Sequence, residues 1–131
     1  MNRIDPDTAY FYSIYQNKFD NIRLSNSTIF DIEKFELNPS FVEIQENSFT
    51  NINATDSAAV SYLFDFTGFW SVRIYKNLFQ TFSGKITLIS IIPHSESRTL
   101  IIQNNEIKTV FAASFLSYAG KSHKTLEFRQ N

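Results

Sequence analysis

The stretch "VEIQENSFTNI", residues 42–52, holds the pattern that decides the fold, because versions of it recur along the chain. The phrase reads YSIYQNKFDNI from Tyr12, VRIYKNLFQTF from Val72 and LIIQNNEIKTV from Leu100, and LEFRQN from Leu126 begins a further copy. All copies share an asparagine, and the shared asparagines lie 30, 30, 28 and 26 residues apart. A steady period of this length is typical of stacked supersecondary units.

The positions around each shared asparagine indicate strands. Apolar residues stand five and three positions before it and again two and five positions after it, and apolar positions two apart lie on one face of a strand. If the copies stack in register, Ile44, Ile74 and Ile102 form one interior column. Outward-facing Glu43 then lies beside Arg73, an opposite-charge pair that supports parallel neighbours but contributes only ~0 to 1 kcal/mol when exposed.

A second set of apolar segments lies between the copies and is rich in β-branched and aromatic residues, which suit strands. These segments are STIFDI (27–32), VSYLFDF (60–66), ITLISII (86–92) and FAASFLSY (111–118). Polar loops such as NATDSA and PHSES separate them from the repeated phrase. The sequence therefore predicts an all-β chain in which the repeated phrase forms one sheet and these segments form a second.

The phrase can be written apolar-x-apolar-x-x-Asn-x-apolar-x-x-apolar. It resembles the right-handed parallel β-helix of the pectate-lyase type. The leucine-rich repeat is the second choice, because that family follows its motif with a helix or a Leu-rich loop, whereas the segments that follow the motif here are β-branched and aromatic. The resemblance spans roughly residues 10–131. It implies a right-handed parallel β-helix solenoid of about four to five coils with a period of 26–30 residues. We expect residues 1–131 to be a single solenoid segment, part of a longer protein or of an end-to-end assembly.

The recurring asparagine has a structural explanation. A carboxamide carries two donors and an acceptor, so an inward asparagine at a bend can bond the backbone and also its counterpart in the next coil. Stacked about 4.8 Å apart, such amides form a ladder, as in lyase-type β-helices. The expected members of the ladder are Asn17, Asn47, Asn77, Asn105 and Asn131.

Composition limits the function classes. Hydrophobic residues make up 43% of the 131 residues, so the chain can bury a core. The 12 Lys and Arg residues and 13 Asp and Glu residues are scattered singly, which argues against nucleic acid as a partner. No apolar run reaches the roughly 20 residues that a membrane span needs. With no cysteine and no grouping at metal-ligand spacing, we expect no metal and no cofactor.

No catalytic motif is present. His94 and His123 stand alone in polar loops, and the motifs of polygalacturonase-like β-helix enzymes, the P-loop and the dinucleotide fingerprint are all missing. Asp31 and Asp65 are acidic residues in apolar segments, but they lie at different distances from the shared asparagines and are not expected to meet on adjacent coils. We therefore assign no catalytic residue. For an enzyme, the least poor candidates are Asp31, Asp65, Arg73 and Arg98.

Two other features could involve sugars. Asn26-Ser27-Thr28 and Asn53-Ala54-Thr55 are acceptor patterns for N-glycosylation, at Asn26 and Asn53, which matter only if the protein is exported. Exposed aromatic rings can stack on sugar faces, although core packing is the commoner fate of such residues. The aromatic candidates are Tyr62, Phe69, Trp70, Tyr75 and Tyr118.

These observations favour a non-enzymatic structural or adhesive solenoid, extracellular or at the cell surface, although the chain carries no apparent signal peptide. The alternatives are a polysaccharide lyase or hydrolase on a β-helix and a leucine-rich-repeat binding module. Open solenoid ends expose strand edges and apolar side chains. We therefore expect self-association or flanking coils as partners, with glycans as a further candidate, and no nucleic acid.

Overall fold

The computed structural model describes residues 10–33, 39–92, 99–111, 114–118 and, for the backbone alone, 125–129. Within these ranges the regular elements are thirteen β-strands. They are β1 Tyr10–Tyr15, β2 Lys18–Leu24, β3 Thr28–Glu33, β4 Ser40–Gln45, β5 Ser48–Ala54, β6 Ser61–Thr67, β7 Ser71–Tyr75, β8 Leu78–Ser83, β9 Ile86–Ile92, β10 Thr99–Gln103, β11 Glu106–Phe111, β12 Ser114–Tyr118 and β13 Thr125–Arg129.

The strands form three parallel sheets, and each turn of the chain contributes one strand to each sheet in the same order. The first sheet has the order β1-β4-β7-β10-β13, the second β2-β5-β8-β11 and the third β3-β6-β9-β12. The sequence predicted two sheets. The structure corrects this, because the residues after each shared asparagine leave the first sheet and form a sheet of their own.

The predicted register is confirmed. Ile44 pairs with Ile74, Ile74 pairs with Ile102, and all three are completely buried. The chain is thus an all-β parallel solenoid, as the repeat predicted. All three sheets share three coil-to-coil steps, and a fourth step joins β10 to β13 in the first sheet alone. The stack therefore makes about three turns, slightly fewer than the four to five coils expected. The right-handed sense of the coil stays a prediction.

Two left-handed residues in each coil bend the chain around the core. The residue before the shared asparagine has a positive φ in every described copy, and so does the residue four positions after the asparagine. The first set is Gln16, Glu46, Lys76 and Asn104, with φ from 53° to 57°, and the second is Asn21, Asn51, Thr81 and Thr109, with φ from 51° to 59°. Each bend lets two inward side chains stand three positions apart, which explains the spacing seen in the sequence.

Stacked phenylalanines fill the interior beside the isoleucine column. Phe19, Phe49 and Phe79 of the second sheet stack nearly parallel, with ring centroids 5.0 and 5.4 Å apart. Phe64 of the third sheet meets Phe49 edge-on at 5.2 Å and stacks on Phe30 at 5.3 Å. Both arrangements are favourable for aromatic pairs. The core is therefore built from columns that run along the stack.

Candidate functional site

The shared asparagines form a hydrogen-bonded column inside the corner between the first and second sheets. The Nδ2 group of Asn47 donates to the carbonyl of Ile14 in the preceding coil (2.8 Å) and to Oδ1 of Asn77 in the following coil (3.0 Å). The backbone N–H of Asn47 donates to the same Oδ1 (3.0 Å). Each interior amide therefore joins three coils.

The next rung repeats this geometry. Asn77 donates from Nδ2 to the carbonyl of Ile44 (2.9 Å) and to Oδ1 of Asn105 (3.0 Å). Asn47, Asn77 and Asn105 are only 2 to 3% exposed. Asn17, in the first coil, is exposed, and its Nδ2 donates to the carbonyl of its own Tyr15 and to Asn47. Asn131, the fifth expected member, lies outside the described residues.

Asp31 and Asp65 lie closer together than the sequence suggested. They are direct partners in the pairing of β3 with β6, on neighbouring parallel strands of the third sheet. The connection between β5 and β6, residues 55–60, is longer than that between β2 and β3, residues 25–27. The two aspartates are therefore in register although they lie at different distances from their asparagines. The expectation that they would not meet was wrong. Asp31 is exposed and Asp65 half-buried.

The other candidates for chemistry are not brought together. Arg73 lies on the outer face of the first sheet, away from the aspartate pair on the third, while Arg98, His94 and His123 lie outside the described residues. Among the residues whose side chains are described, no three His, Asp or Glu residues cluster in a way that could hold a metal ion.

The two glycosylation candidates differ in setting. Asn26 is exposed in the turn between β2 and β3, with φ 45°. Asn53 is exposed on strand β5, where its Oδ1 accepts a hydrogen bond from Ser83 (3.0 Å). The hydroxyl of Thr55, in the same acceptor pattern, donates to the carbonyl of Leu24 (3.2 Å). The turn at Asn26 is thus the freer of the two settings.

The five aromatic candidates do not form one platform. Phe69 is buried in the core at 1% exposure, and Trp70 stands in the connection between β6 and β7. Tyr62 and Tyr118 belong to the third sheet, whereas Tyr75 lies on the outer face of the first.

A groove that the sequence analysis missed crosses the outer face of the first sheet. Its volume is about 400 Å³, within the usual range of ligand sites. It forms where an outward row of side chains changes size: Phe11 and Phe41 are followed, coil by coil, by Ser71 and Thr99. The two rings stack 5.0 Å apart and 15° from parallel. Two small side chains beyond a pair of rings leave a notch against the second ring.

A second outward row bounds the groove and supplies its charges. Arg73 donates to Oε1 of Glu43 (3.1 Å), the pair that the repeat predicted. The guanidinium also lies 5.1 Å from the ring centroid of Tyr75, a cation–π distance, and Ile101 follows Arg73 in the next coil. The Nε–H of Arg73 is buried without an acceptor among the described residues. The groove thus combines ring faces, hydroxyls and one compensated ion pair.

A separate polar cluster lies on the outer face of the second sheet. Asp20 Oδ1 accepts hydrogen bonds from Thr50 Oγ1 (2.6 Å) and Asn51 Nδ2 (2.9 Å). These bonds favour the carboxylate, so they lower the pKa of Asp20 below its ordinary value.

Comparison with protein-family models, with curated proteins and with solved structures finds no significant match to the chain. In the described parts of the chain, no helix has the length and apolar character needed to traverse a bilayer. The geometry of the solenoid is therefore the basis for any statement about function.

Proposed function

We propose that the chain is a non-enzymatic, adhesive solenoid module, extracellular or at the cell surface, which presents the outer groove of its first sheet to a ligand. The single observation that carries this proposal is the groove itself. Most of it lies on β4, β7 and β10, whose inward side chains are buried, so these walls are held by a packed scaffold. A kinship with pectate-lyase-type β-helices belongs to the same proposal and rests on the asparagine ladder.

Introducing a charge into the groove tests this proposal. The purified chain is immobilised and exposed to insoluble plant and microbial polysaccharides and to matrix proteins such as collagen. We expect Ile101→Glu to abolish the binding that the unchanged chain shows, because the new carboxylate would lie beside Arg73, replace apolar surface and give the charge-compensated groove a net negative charge. Ile92→Glu is the matched control, since Ile92 is an exposed isoleucine of the third sheet. Equal binding by both variants, or no binding by the unchanged chain, would overturn the proposal.

Stacking on further coils is the structural side of the same proposal. The inward side chains Ile14, Phe19 and Ile22 of the first coil are only partly buried, whereas Phe49 and Ile52, one coil further, are completely buried. Apolar surface of this kind favours association. Light scattering would detect this association as an average molar mass that rises with protein concentration. The rise should be smaller in Phe19→Glu. A constant monomer mass would contradict it.

A polysaccharide-cleaving enzyme is the second candidate, and the register of Asp31 with Asp65 favours it. Neighbouring parallel strands are about 4.8 Å apart, and retaining glycosidases hold their two carboxyl groups about 5 to 5.5 Å apart. In such an enzyme one residue would act as the acid and the other as the nucleophile. Release of reducing ends from a polysaccharide, lost in Asp65→Asn and retained in Ser90→Ala, would establish this activity in place of adhesion.

A further inference from the structure

We propose that the outer groove binds an uncharged pyranose chain, with one sugar ring lying against the ring of Phe41. This inference rests on the proposed adhesive function and names the ligand of its groove. It depends on the shape of one wall, on the charge of the lining and on the mixture of polar and apolar groups.

The ring of Phe41 forms one wall of the groove. Phe41 stacks one ring face on Phe11, in the preceding coil. Its opposite face is therefore directed along the stack toward the third coil, where the corresponding residue is Ser71, with Thr99 beyond it. A flat group can slide over these two small side chains and contact the ring. The CH face of a pyranose is such a group, since aromatic rings with an apolar body bind apolar faces.

The charge of the lining selects an uncharged ligand. Glu43 and Arg73 are the only charged residues around the groove among those described, and they lie 3.1 Å apart. Their charges compensate each other. An acidic sugar would have to compete with Glu43 for the guanidinium and would place its carboxylate beside that of Glu43. A neutral sugar carries no charge that would be repelled by Glu43 or would have to compete for Arg73.

The mixture of groups argues against an apolar peptide side chain. Five polar residues share the lining with the aromatic and aliphatic ones: Ser13, Glu43, Ser71, Arg73 and Thr99. An apolar occupant would remove water from these groups without replacing its hydrogen bonds, which is unfavourable. Sugar hydroxyls both donate and accept. The guanidinium has five N–H donors and gives one bond to Glu43, so donors remain for a ligand.

The groove can be closed without disturbing the core, which gives a sharp test. Ser71 is an outward residue of β7, and Ser71→Phe would extend the Phe11–Phe41 stack into the notch. The matched control is Ser90→Phe, the same change at an outward position of the third sheet. Thermal unfolding of both variants establishes that they fold. Because the change adds a ring to an existing stack, we expect the melting temperature of Ser71→Phe to be unchanged or higher.

Binding is measured by NMR titration of the ¹⁵N-labelled chain with cellohexaose, xylohexaose and mannohexaose, with hexagalacturonate as the charged comparison. We expect at least one neutral hexaose to shift the amide signals of Ser71 and Thr99. The affinity should fall at least tenfold in Ser71→Phe and remain the same in Ser90→Phe. Hexagalacturonate should bind at least tenfold more weakly.

Three results would overturn the inference: no neutral hexaose binds, the charged hexamer binds best, or Ser71→Phe binds as well as the unchanged chain. None of these results touches the adhesive function by itself. If the hexaoses fail while Ile101→Glu still abolishes adhesion to a protein surface, the groove is a docking site for protein and the sugar assignment is wrong. If Ile101→Glu has no effect on adhesion, the proposed function fails independently of the sugars.

Discussion

On the inward face of the first sheet, Ile44 is followed one coil later by Ile74 and then by Ile102. On the outward face of the same sheet, Phe41 is followed by Ser71 and then by Thr99. The two rows belong to the same strands and have the same backbone geometry. The inward row is completely buried, so each of its members must match the one above and below. The outward row has no such restriction. The repeat therefore marks the scaffold, and departures from the repeat mark the places where a binding site can form.

The largest expected effect comes from breaking the inward side at the asparagine ladder. Asn77→Leu would remove the acceptor for the N–H and Nδ2 groups of Asn47 and the donor to the carbonyl of Ile44. Each buried polar group left unpaired costs ~1 to 3 kcal/mol, so we expect a loss of roughly 4 kcal/mol in the free energy of unfolding. Urea denaturation followed by circular dichroism measures it.

The matched control for this variant is Asn17→Leu, in the first coil. Asn17 is exposed, and its side chain donates to the carbonyl of Tyr15 and to Oδ1 of Asn47, so water can replace these bonds. The loss should be about 1 kcal/mol. If the two variants lose equal stability, burial does not determine the contribution of a rung and the contrast between interior and surface fails.

A somewhat smaller effect is expected where two coils meet closely. Gly84 has φ 97°, and a Cβ atom added there would lie 2.1 Å from the carbonyl oxygen of Ala54. Backbone cannot yield as a flexible side chain can, so Gly84→Ala should lower the free energy of unfolding by roughly 3 kcal/mol. Ser83→Ala, at the exposed neighbouring position, should lower it by less than about 1 kcal/mol. Similar denaturation midpoints for the two variants would contradict the close approach.

The left-handed bends should allow an improvement. Thr81 has φ 59°, in a conformation that a β-branched residue rarely adopts, while Asn51 occupies the same position one coil earlier with φ 55°. Thr81→Asn should raise the free energy of unfolding by about 1 kcal/mol, and the reverse change Asn51→Thr should lower it by a similar amount. Changes of the same sign in the two variants would show that the bend does not set the preference.

The smallest expected effect concerns pH and the outer face of the second sheet. The pKa of Asp20 is lowered, chiefly by the hydrogen bond from Thr50 and then by that from Asn51. A lowered pKa in the folded state stabilises the fold above the ordinary value of 3.8, and this contribution disappears as the pH falls through the folded value. NMR titration should give Asp20 a pKa below 3.8, moved upward in Thr50→Val. An unchanged pKa in that variant would contradict the assigned cause.

The inward register could be predicted from the sequence because burial enforces it. The column through Ile44, Ile74 and Ile102 and the pairing of Glu43 with Arg73 both follow from aligning the copies on their asparagines. The number of sheets could not be predicted in this way. The bends that separate the first sheet from the second use residues such as Glu46 and Lys76, whose identities carry no turn signal.

The sites depend on features that the repeat does not contain. Asp31 is paired with Asp65 because the connection at residues 55–60 is longer than its counterpart in the coil before. The length of a loop does not by itself reveal the register of the strands that follow it. The groove depends on a decrease in side-chain size from Phe41 to Ser71. That change was visible in the aligned copies, but only the packing of Phe41 on Phe11 shows that it leaves an open space.

Each of the thirteen described strands pairs with a strand one full coil away, about 30 residues distant along the chain. The chain must therefore close a loop of that length before its first ladder of backbone bonds can begin, and loop closure costs conformational entropy before any contact compensates for it. Topologies dominated by such distant pairings fold slowly. Two adjacent coils form the smallest nucleus, and once they have paired, each further coil can add to the stack in turn.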